Sequence, residues 1–155
     1  SSWSPKGNKI LFTSGRSGSP QIYELDLRKL NPKAKRVSFE GTYNAKASYL
    51  PNEEGIIFVH RSSNQFQIAL KYFNENFIRP LTESKMDESP SVSPNGNRIT
   101  YISDESGINN IYITDDEFAS SKNLSAISIS LHLAFSPPFM YPILGTPLTI
   151  ALLCP

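Results

Sequence analysis

Apolar and polar positions alternate along this chain in short runs that recur as sets. One set reads Trp3-Ser4-Pro5-Lys6-Gly7-Asn8-Lys9-Ile10-Leu11-Phe12, followed by Gln21-Ile22-Tyr23-Glu24-Leu25-Asp26. A second reads Tyr49-Leu50-Pro51-Asn52-Glu53-Glu54-Gly55-Ile56-Ile57-Phe58, followed by Gln67-Ile68-Ala69-Leu70-Lys71-Tyr72. The third is Val92-Ser93-Pro94-Asn95-Gly96-Asn97-Arg98-Ile99-Thr100-Tyr101, followed by Asn110-Ile111-Tyr112-Ile113-Thr114-Asp115. Pro5, Pro51 and Pro94 stand 46 and then 43 residues apart, and Gln21, Gln67 and Asn110 keep the same two spacings. Two features repeating in step define an internal repeat, and a repeat governs the reading of everything else.

Each unit predicts four short strands. The proline-led stretch is a turn, because proline presets φ and a following glycine accepts positive φ. It joins an inner strand to a second strand at 9–14, 56–60 or 98–103. Polar loops follow at 15–20, 61–66 and 104–109. The Ile-Tyr alternation of the third strand suits a half-buried sheet. Outer strands are expected at 36–39, 79–82 and 122–125. Four strands per period of about 40–50 residues is the blade of a β-propeller. No window sustains a 3.6-residue apolar period, which argues against helical repeats. The expected fold is therefore all-β: a partial propeller of three four-stranded antiparallel blades, at about 1–46, 47–89 and 90–126.

Composition changes this picture only at the C-terminal end. All charged residues lie in 1–126, and 127–155 holds none but carries Pro137, Pro138, Pro142, Pro147 and Pro155. Those prolines leave no run of about 20 apolar residues for a spanning helix. The segment 127–155 reads as an apolar, proline-rich tail unrelated to the fold. Net charge is +1, so no field recruits nucleic acid or an anionic membrane. The cluster Arg28, Lys29, Lys33, Lys35 and Arg36 surrounds Asn31-Pro32 and reads as a solvated turn. Cys154 is the only cysteine, which rules out an intrachain disulfide and leaves the compartment unread.

Catalytic chemistry is sought and not found. Within 1–126 there is one histidine, His60, and no cysteine, so a Cys/His zinc site is excluded. Ser17 in Gly15-Arg16-Ser17-Gly18-Ser19 lacks the glycine two residues on, and its flanks read as strands; it is a turn serine and not a nucleophile elbow. The carboxylate pairs Glu53-Glu54, Asp104-Glu105 and Asp115-Asp116 are adjacent in sequence, and adjacent strand residues face opposite ways. Asp87-Glu88 is kept apart from these, because it precedes an inner strand and so sits at one mouth of the channel. No phosphate-binding or dinucleotide fingerprint is present.

The Ser-Pro-x-Gly-x-x-Ile-x-Phe and Ile-Tyr pattern resembles the repeat of the TolB family. Three stretches make the likeness closer: Arg36-Val37-Ser38-Phe39-Glu40-Gly41-Thr42-Tyr43-Asn44, Gln67-Ile68-Ala69, and Asp87-Glu88-Ser89-Pro90-Ser91-Val92-Ser93-Pro94-Asn95-Gly96. The resemblance covers 1–126 and implies the C-terminal three blades of a six-bladed propeller. An N-terminal α/β domain and three earlier blades of the family are absent from this sequence. It implies a non-catalytic, periplasmic module of the Tol–Pal envelope system, which supports outer-membrane integrity and cell division. The implied partners are the peptidoglycan-associated lipoprotein and other Tol proteins, with no cofactor. Loops joining outer to next inner strands share a face with those joining second to third strands, and irregular loops on rigid sheets carry binding sites. That face is expected at 40–46 and 84–88, beside 15–20, 60–65 and 104–109. Its candidate contacts are Arg16, Glu40, Thr42, Tyr43, Asn44, His60, Arg61, Asp87 and Glu88, with Tyr43, Arg16 and Arg61 of the types favoured as anchors. Two alternatives stay open: the propeller of a prolyl-oligopeptidase-like or tricorn-like peptidase, and a nonfunctional fragment.

Overall fold

Turn chemistry and two-residue alternation dictate local hairpins, and hairpins are what the chain builds. The computed structural model describes residues 1–115 and 126–129, and these form twelve strands with no helix among them. The first sheet runs β1 (Ser2–Trp3), β2 (Lys9–Ser14), β3 (Gln21–Asp26), β4 (Lys35–Arg36). The second runs β5 (Tyr43–Tyr49), β6 (Gly55–Ser62), β7 (Gln65–Tyr72), β8 (Arg79–Pro80). The third runs β9 (Asp87–Val92), β10 (Arg98–Ser103), β11 (Asn110–Asp115), β12 (Ala126–Ile129). Neighbours in each sheet are antiparallel. Three open, four-stranded sheets in sequence order are the partial propeller that the repeat predicts.

Several boundaries differ from the sequence expectation. The expected loop at 61–66 is mostly strand: Arg61 pairs with Phe66 and Ser62 with Gln65. Only Ser63 and Asn64 turn the chain, with Ser63 at φ 56°. The outer strands β4 and β8 are two residues long, since the backbone leaves the ladder once Val37 and Leu81 have bonded the Ile22 and Ile68 carbonyls, at 2.8 and 2.7 Å. In the third sheet the fourth strand is Ala126–Ile129, and the expected 122–125 lies outside the described residues. The 127–155 tail also lies outside them, except that 127–129 belong to β12. Sheets two and three begin at Tyr43 and Asp87, a few residues before the 47 and 90 boundaries read from the sequence.

Packing is between sheets. Strand β6 is buried along 55–60 because it is covered on both faces. Ile56 and Phe58 join Leu11, Ile22 and Val37 towards the first sheet. Ile57 and Val59 join Ile99, Tyr101 and Tyr112 towards the third. Successive strand residues point to opposite faces, so the unbroken apolar run Ile56-Ile57-Phe58-Val59 is what a sheet with neighbours on both sides requires. Gly55 belongs to the same logic: a Cβ there would lie 2.6 Å from the Lys71 carbonyl oxygen.

Candidate partner-binding face

Where the first sheet hands over to the second, the chain builds a buried polar network. The Gln21 amide oxygen accepts from Ser38 Oγ and Asn44 Nδ2, each at 2.8 Å. Asn44 Nδ2 also donates to the Glu40 carbonyl at 2.7 Å, and Asn44 Oδ1 lies 2.8 Å from His60 Nδ1. Since the Asn44 amide nitrogen is spent as a donor, Oδ1 is the acceptor and His60 carries its proton on Nδ1. Ser38 Oγ in turn accepts the Ile22 N–H at 2.9 Å, satisfying a buried backbone donor that the short β4 leaves open. The 40–43 loop is pressed onto this network: a Cβ on Gly41, at φ 77°, would sit 2.5 Å from His60 Cε1.

The second-to-third junction repeats the plan with different chemistry. Thr82 Oγ1 accepts the Ile68 N–H at 2.9 Å, and Gln67 Nε2 donates to the Thr82 carbonyl at 2.8 Å. The position of Asn44 is taken by Asp87, fully buried, which accepts from the Ser84 hydroxyl through Oδ1. The position of His60 is taken by Ser103, whose hydroxyl bonds to Ser84 Oγ at 3.1 Å. Asp87 Oδ2 is buried and has no hydrogen-bond partner among the described residues. Asp87 is also among the residues lining a cleft of about 200 Å³ between the two sheets, with Tyr43, Phe66, Met86, Lys46 and Glu88. Tyr43 meets Phe66 edge-on with centroids 5.4 Å apart, and Lys46 Nζ pairs with the Glu88 carboxylate. A wider, open cleft of about 1000 Å³ lies between the 81–85 segment and the 104–107 turn.

The loops expected to share a face are thereby brought together. The Asn44 N–H bonds the Pro20 carbonyl at 2.9 Å, tying 15–20 to 40–44, and Lys46 reaches across to Glu88. The nine candidate residues divide by burial. Arg16, Glu40, Thr42 and Glu88 are exposed, and Tyr43 and Arg61 are half-buried. Asn44, His60 and Asp87 are buried and support the face from beneath. Arg16 lies over the Tyr23 ring at 4.8 Å and Arg61 over the Phe66 ring at 5.2 Å, so both guanidinium groups are held by aromatic faces of their own blade.

Sequence reasoning passed over Lys46, Phe66 and Met86 as contacts. A signal existed for Met86: it precedes Asp87 as Tyr43 precedes Asn44, at the repeat spacing. Phe66, in the loop expected at 61–66, is a strand residue paired with Arg61 and lines the cleft. Burial lowers the His60 pKa, partly opposed by the Glu40 charge, so the ring is neutral at pH 7. Burial, reinforced by the Asp87 charge, pushes Tyr101 up to about 12. Among the described residues no three His, Cys, Asp or Glu side chains converge as a metal site.

A family model described as the TolB beta propeller domain matches residues 1–137. The Tol-Pal system protein TolB of Nitrosospira multiformis is 43% identical over 74 residues, covering 48% of this chain and 17% of that protein. The protein of the same name from Francisella tularensis subsp. tularensis is 33% identical over 96 residues, 61% of this chain and 22% of that one. The chain thus spans less than a quarter of the length of either relative. The crystal structure of TolB from Acinetobacter baumannii superposes with a TM-score of 0.65 at 36% identity, covering 73% of this chain and 28% of that one. A 21% identical structure from Agrobacterium tumefaciens shares the fold, with a TM-score of 0.66 over 81% of this chain and 47% of that one.

Proposed function

Because the chain belongs to the TolB β-propeller family, we propose that it is a non-catalytic protein-binding module of a Tol–Pal envelope system, working in the periplasm. Its partner in this reading is the peptidoglycan-associated lipoprotein, docked on the loop face formed by 40–46 and 84–88. The observation that carries the reading is the pairing of the family match with that face. Short loops at 40–42 and 84–86 lead there into the first residues of β5 and β9, with aromatic and arginine groups at the surface and their polar supports buried. A non-catalytic role fits the chemistry on hand. His60 is neutral and buried, its Nδ1 held by Asn44, and no serine or cysteine among the described residues hydrogen-bonds its ring. No helix among the described residues is long and apolar enough to cross a membrane.

The test uses the full-length protein that carries this chain, with purified lipoprotein. Tyr43→Ala and Glu88→Ala should each weaken binding measurably, with the melting temperature nearly unchanged for the exposed Glu88 and lowered for Tyr43 by the packing it loses against Phe66. Unchanged affinity in both variants would move the site off this face.

A further inference from the structure

We propose that the cleft between the second and third sheets is a socket for one lysine or arginine side chain of the partner protein. This deepens the reading above and rests on it. The argument starts from the repeat. At Asn44 the chain supplies every partner the side chain needs: Gln21, the Glu40 carbonyl and His60. At Asp87, 43 residues on, the corresponding donors are spent or exchanged. Gln67 is committed to the Thr82 carbonyl, and a serine stands where the histidine was. The result is a fully buried carboxyl group with one oxygen on Ser84 and Oδ2 without a partner among the described residues. A buried acceptor left open is costly, and more so when charged. An incoming N–H donor removes that cost.

The walls select the kind of donor. Tyr43, Phe66 and Met86 line the cleft beside Asp87, offering apolar and aromatic surface to an aliphatic stem and ring faces to a cation. Charge agrees: Lys46 is held by Glu88, which leaves Asp87 the ionisable group lining the cleft that has no ion-pair partner among the described residues. At about 200 Å³ the space is below the usual range for small-molecule and cofactor sites and is matched to one long side chain. Met86, 56% exposed at the rim, is where an entering chain makes first contact.

The chain has two methionines, so the ¹³C-labelled Met86 methyl is a direct reporter. The full chain is titrated with acetyl-Ala-Lys-Ala-amide and with its norleucine counterpart. The lysine peptide should shift the Met86 signal with a dissociation constant of about 1 mM, and norleucine should bind at least fivefold more weakly. Asp87→Asn should abolish that preference, and Lys46→Met should tighten the lysine peptide several-fold. No shift, an equal response to norleucine, or a lysine preference that survives Asp87→Asn overturns the proposal. Should Asp87→Asn fail to fold, Lys46→Met decides, and unchanged affinity there is the overturning result. Lipoprotein binding by the full-length protein is measured alongside. Peptide binding without lipoprotein binding supports the socket and removes the Tol–Pal reading. Lipoprotein binding indifferent to Asp87→Asn, with no lysine preference in the peptides, removes the socket alone.

Discussion

Replacing Asn44 by alanine takes out the centre of the first-to-second sheet junction. Three hydrogen bonds go: Nδ2 to Gln21 Oε1, Nδ2 to the Glu40 carbonyl, and Oδ1 to His60 Nδ1–H. Their loss is unequal. Gln21 Oε1 keeps its bond from Ser38, and the Glu40 carbonyl belongs to an exposed residue that water can reach. Each of those bonds contributes about 1 kcal/mol net. The His60 donor is different, because its ring is 5% exposed and the N–H is left without a partner, a penalty of about 1–3 kcal/mol. The total is on the order of 3 kcal/mol, a large share of the ~5–15 kcal/mol that holds a domain together. Equilibrium urea unfolding should show the midpoint falling with the slope unchanged. Thermal unfolding should fall by roughly 6–12 °C. A loss under about 1 kcal/mol would mean that the junction does not depend on this amide and would refute the network as a structural device.

Three further outcomes follow from the same geometry. Ser38→Ala and Thr82→Val each strip the hydroxyl from a buried isoleucine N–H, so each should cost about 1–3 kcal/mol. Amide exchange should quicken selectively at Ile22 or Ile68, and equal protection in variant and parent would contradict it. Gly41→Ala combines positive φ with a clash against His60 and the Arg61 carbonyl, and should destabilise by about 1–3 kcal/mol in the same urea assay, where a neutral result would count against the packing of the 40–43 loop. Burial lowers the folded-state His60 pKa below 6.5, so the unfolded chain binds more protons at mild acid. The stability this group contributes is present above about pH 6.5 and is lost as pH falls through the lowered value. His60→Gln should flatten the stability profile between pH 7 and 5, and an identical slope in the variant would exclude His60 as the titrating group.

The sequence by itself determined what is local. The three turns led by Pro5, Pro51 and Pro94, the second and third strands that follow them, and the four-strand period are written in residues close along the chain. Hairpin register depends on turn chemistry and two-residue alternation, both of which short windows contain. The resemblance to the TolB family was legible for the same reason, since a repeat prints its turn and strand residues at fixed offsets.

What covers each position was decided only in three dimensions, because burial in stacked sheets is supplied by the next repeat. Ile22, Ile68 and Ile111 occupy one repeat position, yet the first two are fully buried and Ile111 is 54% exposed, with no fourth sheet over it among the described residues. Asn44, His60 and Asp87 looked like loop groups available to a partner, and the stacking of sheets buries them as the supports of that surface. The cleft of Tyr43, Phe66, Met86 and Asp87 has no counterpart in any short window. It exists because two hairpins, each legible alone, meet at an angle set by the side chains packed between them.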